Sequence, residues 1–162
     1  MQAHVIKEKT GTLIQAKNQI TQIIFKFVNR ISKLEIIMNK GFKVKENGPI
    51  EGTYTNYENL DERIHGLHDY LKYVKYGFGR ATDHACIDVR NNRLTRPEAV
   101  KKILEYDGKY PHYGVKSFIE YSGLSKKTID EVIDSFTNPL LFEQNENGNF
   151  KRDDNFNLIR TY

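Results

Sequence analysis

The segment His65-Gly66-Leu67-His68-Asp69 places two imidazoles and a carboxylate within one short stretch. On a helix, His65 and His68 would share a face and could both reach one ion or one substrate. Asp83-His84 and Asp88 follow on the next predicted element and could add ligands. The spacing is not His-Glu-x-x-His, and no third ligand is forced into place. A solvated or packed helix face is therefore the expectation, and no metal site is assigned.

A second constellation is Lys72-Tyr73-Val74-Lys75-Tyr76-Gly77-Phe78-Gly79-Arg80-Ala81-Thr82-Asp83. Two glycines lie between two predicted helices, with Lys75 before the turn and Arg80 after it. Free backbone N–H groups at the start of the second helix, with Arg80 and Thr82, suit an anion such as phosphate or carboxylate. Arg90 and Arg93 would join them if that helix doubled back. The Gly-x-Gly does not follow a strand, so it is not a dinucleotide fingerprint. Two readings stay open on pattern alone: an anion site, or a tight interhelical turn whose Arg80 caps the preceding helix.

Residues 118–134 have the outline of a helix-turn-helix: a helix, Gly123, then a helix capped by Ser125. Its second helix starts with Lys126, Lys127 and Thr128 but then presents Asp130, Glu131 and Asp134, which would repel phosphate. An ordinary packed helix pair is favoured over DNA binding, which is kept as the alternative together with partner docking. Cys86 is placed on the buried face of its helix, as a structural cysteine and not a nucleophile.

These groups need helices to hold them. Apolar residues at 20, 24, 27, 31, 34 and 38 step by three or four, which predicts a helix, with a strand at 20–28 as the alternative because the stretch is rich in Ile. Residues 1–18 show no period and are expected to be poorly ordered. Gly41 and Asn47-Gly48-Pro49 break what precedes them, so residues 41–59 read as an irregular link. Five helices follow. The first starts near Asn59 or Asp61, with Asp61 and Glu62 against its N-terminal dipole, and ends at Gly77-Phe78-Gly79. The second is expected to use Thr82 as N-cap and to run to about Arg90, burying Ala85, Cys86 and Val89. The third opens on the capping box Thr95-Arg96-Pro97-Glu98, buries Val100, Ile103 and Leu104, and stops at Gly108. The fourth spans about Val115 to Tyr121. The fifth buries Ile129, Val132, Ile133 and Phe136 and is closed by Asn138-Pro139. Residues 143–155 read as a turn or frayed tail.

The fold expected is mainly α: about five helices over 60–142, after a basic helical or mixed extension over 1–40 and the link over 41–59, with a polar tail over 143–162. The 162 residues leave no room for two full domains. A mean hydropathy of −0.65 is polar, yet 10 Tyr and 9 Phe supply a core, so wholesale disorder is not expected. No apolar stretch approaches a membrane span, and the N-terminus lacks the apolar run of a secretory signal, which makes the cytoplasm the default. One cysteine excludes an internal disulfide. Residues 1–50 carry 9 basic and 3 acidic side chains while the remainder is close to balanced, so the basic character is an N-terminal property.

Several of these short motifs recur together in one known family. The runs Glu51-Gly52-Thr53-Tyr54, Gly66-Leu67-His68-Asp69-Tyr70, Tyr73 to Thr82, Asp88-Val89-Arg90-Asn91, Arg93 to Glu98 and Tyr106-Asp107-Gly108 resemble, in order and spacing, the C-terminal region of the N-acetyl sugar amidotransferases of the WbpG/PseA group. That group belongs to lipopolysaccharide O-antigen and pseudaminic-acid pathways. The resemblance covers roughly 41–157, and residues 1–40 match nothing nameable. It implies an enzyme similar to ATP pyrophosphatases, in which an N-terminal α/β domain carries a Ser-Gly-Gly-x-Asp-Ser phosphate loop. The implied reaction activates the acetamido oxygen of a nucleotide-linked N-acetyl sugar with ATP and Mg2+. Ammonia from a glutaminase partner then leaves an acetamidino group. This sequence has no Ser-Gly-Gly-x-Asp-Ser. The expectation is a C-terminal fragment that binds no cofactor and is not active alone: a truncated gene product, a remnant, or one half of a split enzyme whose partner is a separate ATP-binding half. Within the resemblance, Lys75, Gly77, Gly79, Arg80, Thr82 and Arg90 are the candidates for substrate phosphates. His68, Asp69 and His84 are those for orienting the sugar amide.

Overall fold

The computed structural model describes residues 30–161, with side chains from residue 34 onward. The expected helix-or-strand over 20–28 and the unordered stretch 1–18 lie outside the described residues. The chain divides into two compact units, residues 1–43 and 44–162. In the first, α1 (Arg30–Met38) is the described part of the predicted amphipathic helix. It is closed by Gly41 at φ +90° and a Phe42 N–H to Ile37 O bond of 3.0 Å.

The second unit holds α2 (His65–Tyr76), α3 (Arg80–Arg90), α4 (Arg96–Tyr106), α5 (His112–Ser122) and α6 (Lys126–Phe136). With α1 that makes six helices, and no strand beyond isolated pairings, among the described residues. Helix α2 packs on α5 and α6, while α4 packs chiefly on α3. The core gathers Leu67, Tyr70, Tyr73 and Val74 of α2 with Val115, Ile129, Ile133, Tyr110, Phe142 and Leu158. Burying each of the larger side chains contributes about 1.5–3 kcal/mol.

Helix α2 starts later than the charge pattern predicts. Asn59 sits in the left-handed region (φ 50°), and both its amide and the Glu62 carboxylate turn to the His65 ring. Residues 59–63 are therefore loop, and Asp61 and Glu62 do not form a first turn. Gly77 ends the helix as expected, at φ 80° with its N–H on Tyr73 O.

Helix α3 corrects two expectations. It begins at Arg80 with Gly79 as N-cap, and Thr82 lies inside it. The cap is supplied from a distance: the Asp107 carboxylate accepts the Gly79 N–H at 2.9 Å and the Thr82 hydroxyl at 2.5 Å. Cys86 is exposed and Val89 only half-buried. The buried face is Ala81, His84, Ala85 and Asp88, because polar groups from 53–58 meet His84 and Asp88 there.

The capping box of α4 is present, with the Thr95 side chain on the Glu98 N–H and the Glu98 carboxylate on the Thr95 N–H. The expected apolar stripe is not buried. Val100 and Leu104 are exposed and Ile103 is half-buried, since α4 enters the packing through the small side of Ala99. Helix α5 starts at His112, earlier than Val115, because the Glu51 carboxylate caps it through Tyr113 N and Gly114 N, each at 2.9 Å. Helix α6 is N-capped by Ser125 and buries Ile129 and Ile133, but Val132 and Phe136 stay exposed.

The stretch expected as a turn or frayed tail folds back on the helices instead. Phe142 pairs with Arg160, Gln144 with Phe150 and Arg152 with Leu158, all antiparallel. Phe142 and Leu158 are buried. The Asn138 N–H caps α2 at Val74 O, and Arg160 reaches Gly77 O at 2.5 Å. Polar composition concealed this because only alternate residues face inward.

Candidate functional site

The irregular stretch 51–59 runs along the helices and spends its polar side chains on them. Thr53, wholly buried, donates its hydroxyl to His84 Nδ1 at 2.7 Å. His84 Nε2 then faces Glu58 Oε2 at 2.8 Å, so the ring proton lies on Nε2 and Nδ1 accepts. The Tyr54 hydroxyl donates to Asp88 at 2.6 Å, and Arg93 completes that pair at 2.7 Å. Glu58 also lies 3.5 Å from Arg80 Nη1.

Arg80 is the centre of this network. Its Nε donates to Asp69 Oδ2 at 2.5 Å, and its Nη2 touches His65 Nε2. Burial works against its charge, but the Asp69 and Glu58 carboxylates more than offset this and hold the guanidinium above its ordinary value. His65 Nε2 lies 3.0 Å from Asp69 Oδ2 and 2.8 Å from the Asn59 amide, while its Nδ1 lies 3.1 Å from Glu62 Oε2. Buried charges tied this densely fix a geometry; breaking one contact leaves the others unpaired at a cost of about 3–5 kcal/mol.

Two cavities flank His65. One, of about 680 Å3, is a largely apolar groove between α2, α5 and α6, walled by Ile64, Leu71, Phe118, Leu124 and Val132. The other, of about 690 Å3, is a mixed cleft walled by Lys45, Ile50, Leu60, Arg63 and Tyr113. Both volumes lie in the range of small-molecule sites. Glu62 and His65 line both.

The structure separates the residues singled out from sequence. Asp69, His84 and Arg80 belong to the one network. His68 is exposed, with only a 3.5 Å approach to Asp69. Gly79 and Thr82 face Asp107, as described above. Lys75 is exposed over the Tyr76 ring, and Arg90 is exposed in the last turn of α3, remote from the elbow at its start. Gly77 closes α2. The would-be metal ligands disperse: Asp83 pairs with Lys72, Asp88 with Tyr54 and Arg93, and His84 with Thr53 and Glu58. Among the described residues no group of three His, Cys, Asp or Glu could hold a metal ion. In the helix pair α5–α6, Lys126 pairs with Asp130 and Lys127 with Glu131 on their own helix.

Sequence reasoning missed His65, Glu58, Thr53 and Asp107 as organising residues. Glu58 and Thr53 sit in a stretch without periodicity, and Asp107 is the C-cap residue of α4 while its side chain caps a different helix. His65 was visible as half of the two-imidazole pair, but nothing local distinguished it from His68.

Residues 51–157 match the family described as LPS biosynthesis protein WbpG-like, C-terminal domain. The chain belongs to this family. The match begins at Glu51, which caps α5, and runs through the whole network to Asn157, whose side chain accepts the Tyr110 N–H at 2.8 Å. No curated protein matches the chain. The WbpG-like domain is thus the helical unit itself, and no described helix is long and apolar enough to cross a membrane.

Proposed function

We propose that this WbpG-like domain is the helical substrate-side part of an N-acetyl sugar amidotransferase. In this reading the full reaction converts the acetamido group of a nucleotide-linked sugar to an acetamidino group, for LPS O-antigen or flagellin glycan synthesis. The observation that carries it is the family match over residues 51–157, which hold the rigid His–carboxylate–Arg network and the whole lining of the apolar groove beside His65. Such a network suits a site that must orient an uncharged amide, because its own geometry is fixed before the ligand arrives.

ATP and Mg2+ belong to the activation step of that reaction. The glycine elbow does not fit them: its N–H and hydroxyl donors already meet the Asp107 carboxylate, and a phosphate there would face that like charge. Nucleotide activation is therefore assigned to a separate ATP-binding half and ammonia supply to a glutaminase, and no step is routed through the elbow.

Titration of the chain with UDP-N-acetylglucosamine by calorimetry tests the reading. Saturable binding that Arg80→Ala abolishes, with the helix content unchanged, supports it. No binding at millimolar ligand refutes it. A second reading, a partner-docking module, is favoured by the apolar groove and its exposed Leu124 and Val132. Co-purification with an ATP-binding half, lost in Val132→Asp, is its test.

A further inference from the structure

Glu62 stands where the two cavities meet, half-exposed, as the one carboxylate that lines both among the described residues. Its Oε2 is held by the His65 ring at 3.1 Å, and its Oε1 makes no hydrogen bond or ion pair among the described residues. The orientation of that contact does not depend on the charge of His65. With a neutral ring, the N–H groups of Arg80 and Asn59 make Nε2 the acceptor and leave the proton on Nδ1, toward Glu62. With a charged ring, Nε2–H donates to Asp69 and Nδ1–H still faces Glu62. His65 is thus a positioning residue for Glu62, anchored from behind by Asp69 and Arg80.

A carboxylate held in this way is a receptor for planar N–H donors. It offers about four lone-pair positions, and His65 uses one. An amidinium presents two parallel N–H bonds on a delocalised cation, the same fork that lets guanidinium pair with a carboxylate through two bonds. An acetamido group presents one N–H and no charge. We propose that Glu62 holds the nitrogen end of the sugar's acetamido group and pairs more tightly with the acetamidinium that replaces it. This rests on the sugar amidotransferase reading and adds to it the residue that distinguishes amide from amidine.

The test is NMR titration of the 162-residue chain with acetamidinium chloride, with acetamide as neutral isostere and methylammonium chloride as point cation, all at matched ionic strength. Glu62→Gln keeps the shape of a half-exposed side chain, and its amide spectrum reports that it is folded. We expect saturable shifts at Glu62 and His65 with acetamidinium, at about millimolar concentration for so small a ligand. Affinity should be at least about tenfold weaker in Glu62→Gln, and at least about fivefold weaker for methylammonium in wild type, because one of the two paired bonds is lost. Absence of saturable shifts, or equal titration of Glu62→Gln and wild type, overturns the proposal. A parallel UDP-N-acetylglucosamine titration separates the two ideas. Binding of that sugar nucleotide with no acetamidinium preference leaves the functional reading standing and removes Glu62 from it.

Discussion

Replacing Asp107 by Ala removes the only side-chain cap at the start of α3 among the described residues. The carboxylate accepts two bonds there, from Gly79 N at 2.9 Å and Thr82 Oγ1 at 2.5 Å, and places a negative charge at the positive end of the helix dipole. A hydrogen bond to a charged group contributes about 1.5–3 kcal/mol, and a charge at a helix end about 0.3–1 kcal/mol. Asp107 is half-buried, so solvent screens part of this, and measured cap substitutions cost about 0.5–2 kcal/mol. Together these give a loss of about 2–4 kcal/mol for Asp107→Ala. Asp107→Asn keeps an acceptor oxygen and should lose about 1 kcal/mol. For a chain of this size, each kcal/mol moves Tm by about 2–4 °C, so Asp107→Ala should melt roughly 4–16 °C lower. Urea unfolding of wild type, Asp107→Ala, Thr82→Val and the double variant gives the coupling energy directly. A loss below about 0.5 kcal/mol for Asp107→Ala, or additivity with Thr82→Val, would refute the assignment of Asp107 as the cap and return the elbow donors to the solvent or a ligand.

Other consequences follow from single contacts. His84→Ala leaves Thr53 and Glu58 without their shared partner in a buried place and should cost about 3 kcal/mol in urea unfolding, while Cys86→Ala, on the exposed side of the same helix, should change stability by less than about 0.5 kcal/mol. The Tyr70 hydroxyl is buried, and burial pushes its pKa up to about 12 although the nearby Arg152 opposes the rise. The unfolded chain therefore releases that proton first, so stability is complete below about pH 10 and falls as pH rises toward 12; Tyr70→Phe should be as stable as wild type at pH 7 and lose less over that alkaline range in thermal melts. Hydrogen bonds from Asn157 hold the Asp153 carboxyl below its usual range, as those from Thr95 do for Glu98. Their stabilisation is present above about pH 4 and lost as pH falls through the folded values, so hydrogen exchange in the turns at 143–159 should accelerate there before the α2 core opens.

Helix existence was legible wherever the apolar period and a local terminator agreed: Gly77, the Thr95–Glu98 box, Gly123 and Ser125 all do what their types predict. Helix starts were misjudged where the cap is remote. Glu51 caps α5 and Asp107 caps α3, and no local window contains either pair. The buried face of α3 was misread for a related reason. Cys86 and Val89 look like core by type, but the neighbours of α3 are the small face of α4 and the polar stretch 53–58, so Ala85, His84 and Asp88 turn inward. Hydropathy predicts burial only when the covering surface is apolar. The candidate site suffered likewise: Arg80, Asp69 and His84 were identified by type, but their partners Glu58, Asn59 and Thr53 come from a segment with no period to read.

The glycines of the motif show how far that segment determines the packing. A Cβ at Gly66 would collide with the Glu51 carboxylate, and one at Gly114 would lie 2.8 Å from the Leu67 backbone nitrogen and 3.3 Å from the same carboxylate. Glu51 is therefore wedged into the α2–α5 crossing while it caps α5, and the two glycines make room for it. This predicts a change of sign. In wild type, Gly66→Ala must displace Glu51 and forfeit the cap, a loss of about 1–2 kcal/mol. In a Glu51→Ala background the cap and the carboxylate are already gone and only the residue-51 Cβ stays close, at 3.3 Å, so the same substitution should gain up to about 1 kcal/mol from the better helix propensity of alanine. Gly114→Ala meets rigid backbone and should stay destabilising in both backgrounds. If Gly66→Ala costs the same with and without Glu51, the carboxylate is a surface cap that tolerates the helix crossing and does not set it.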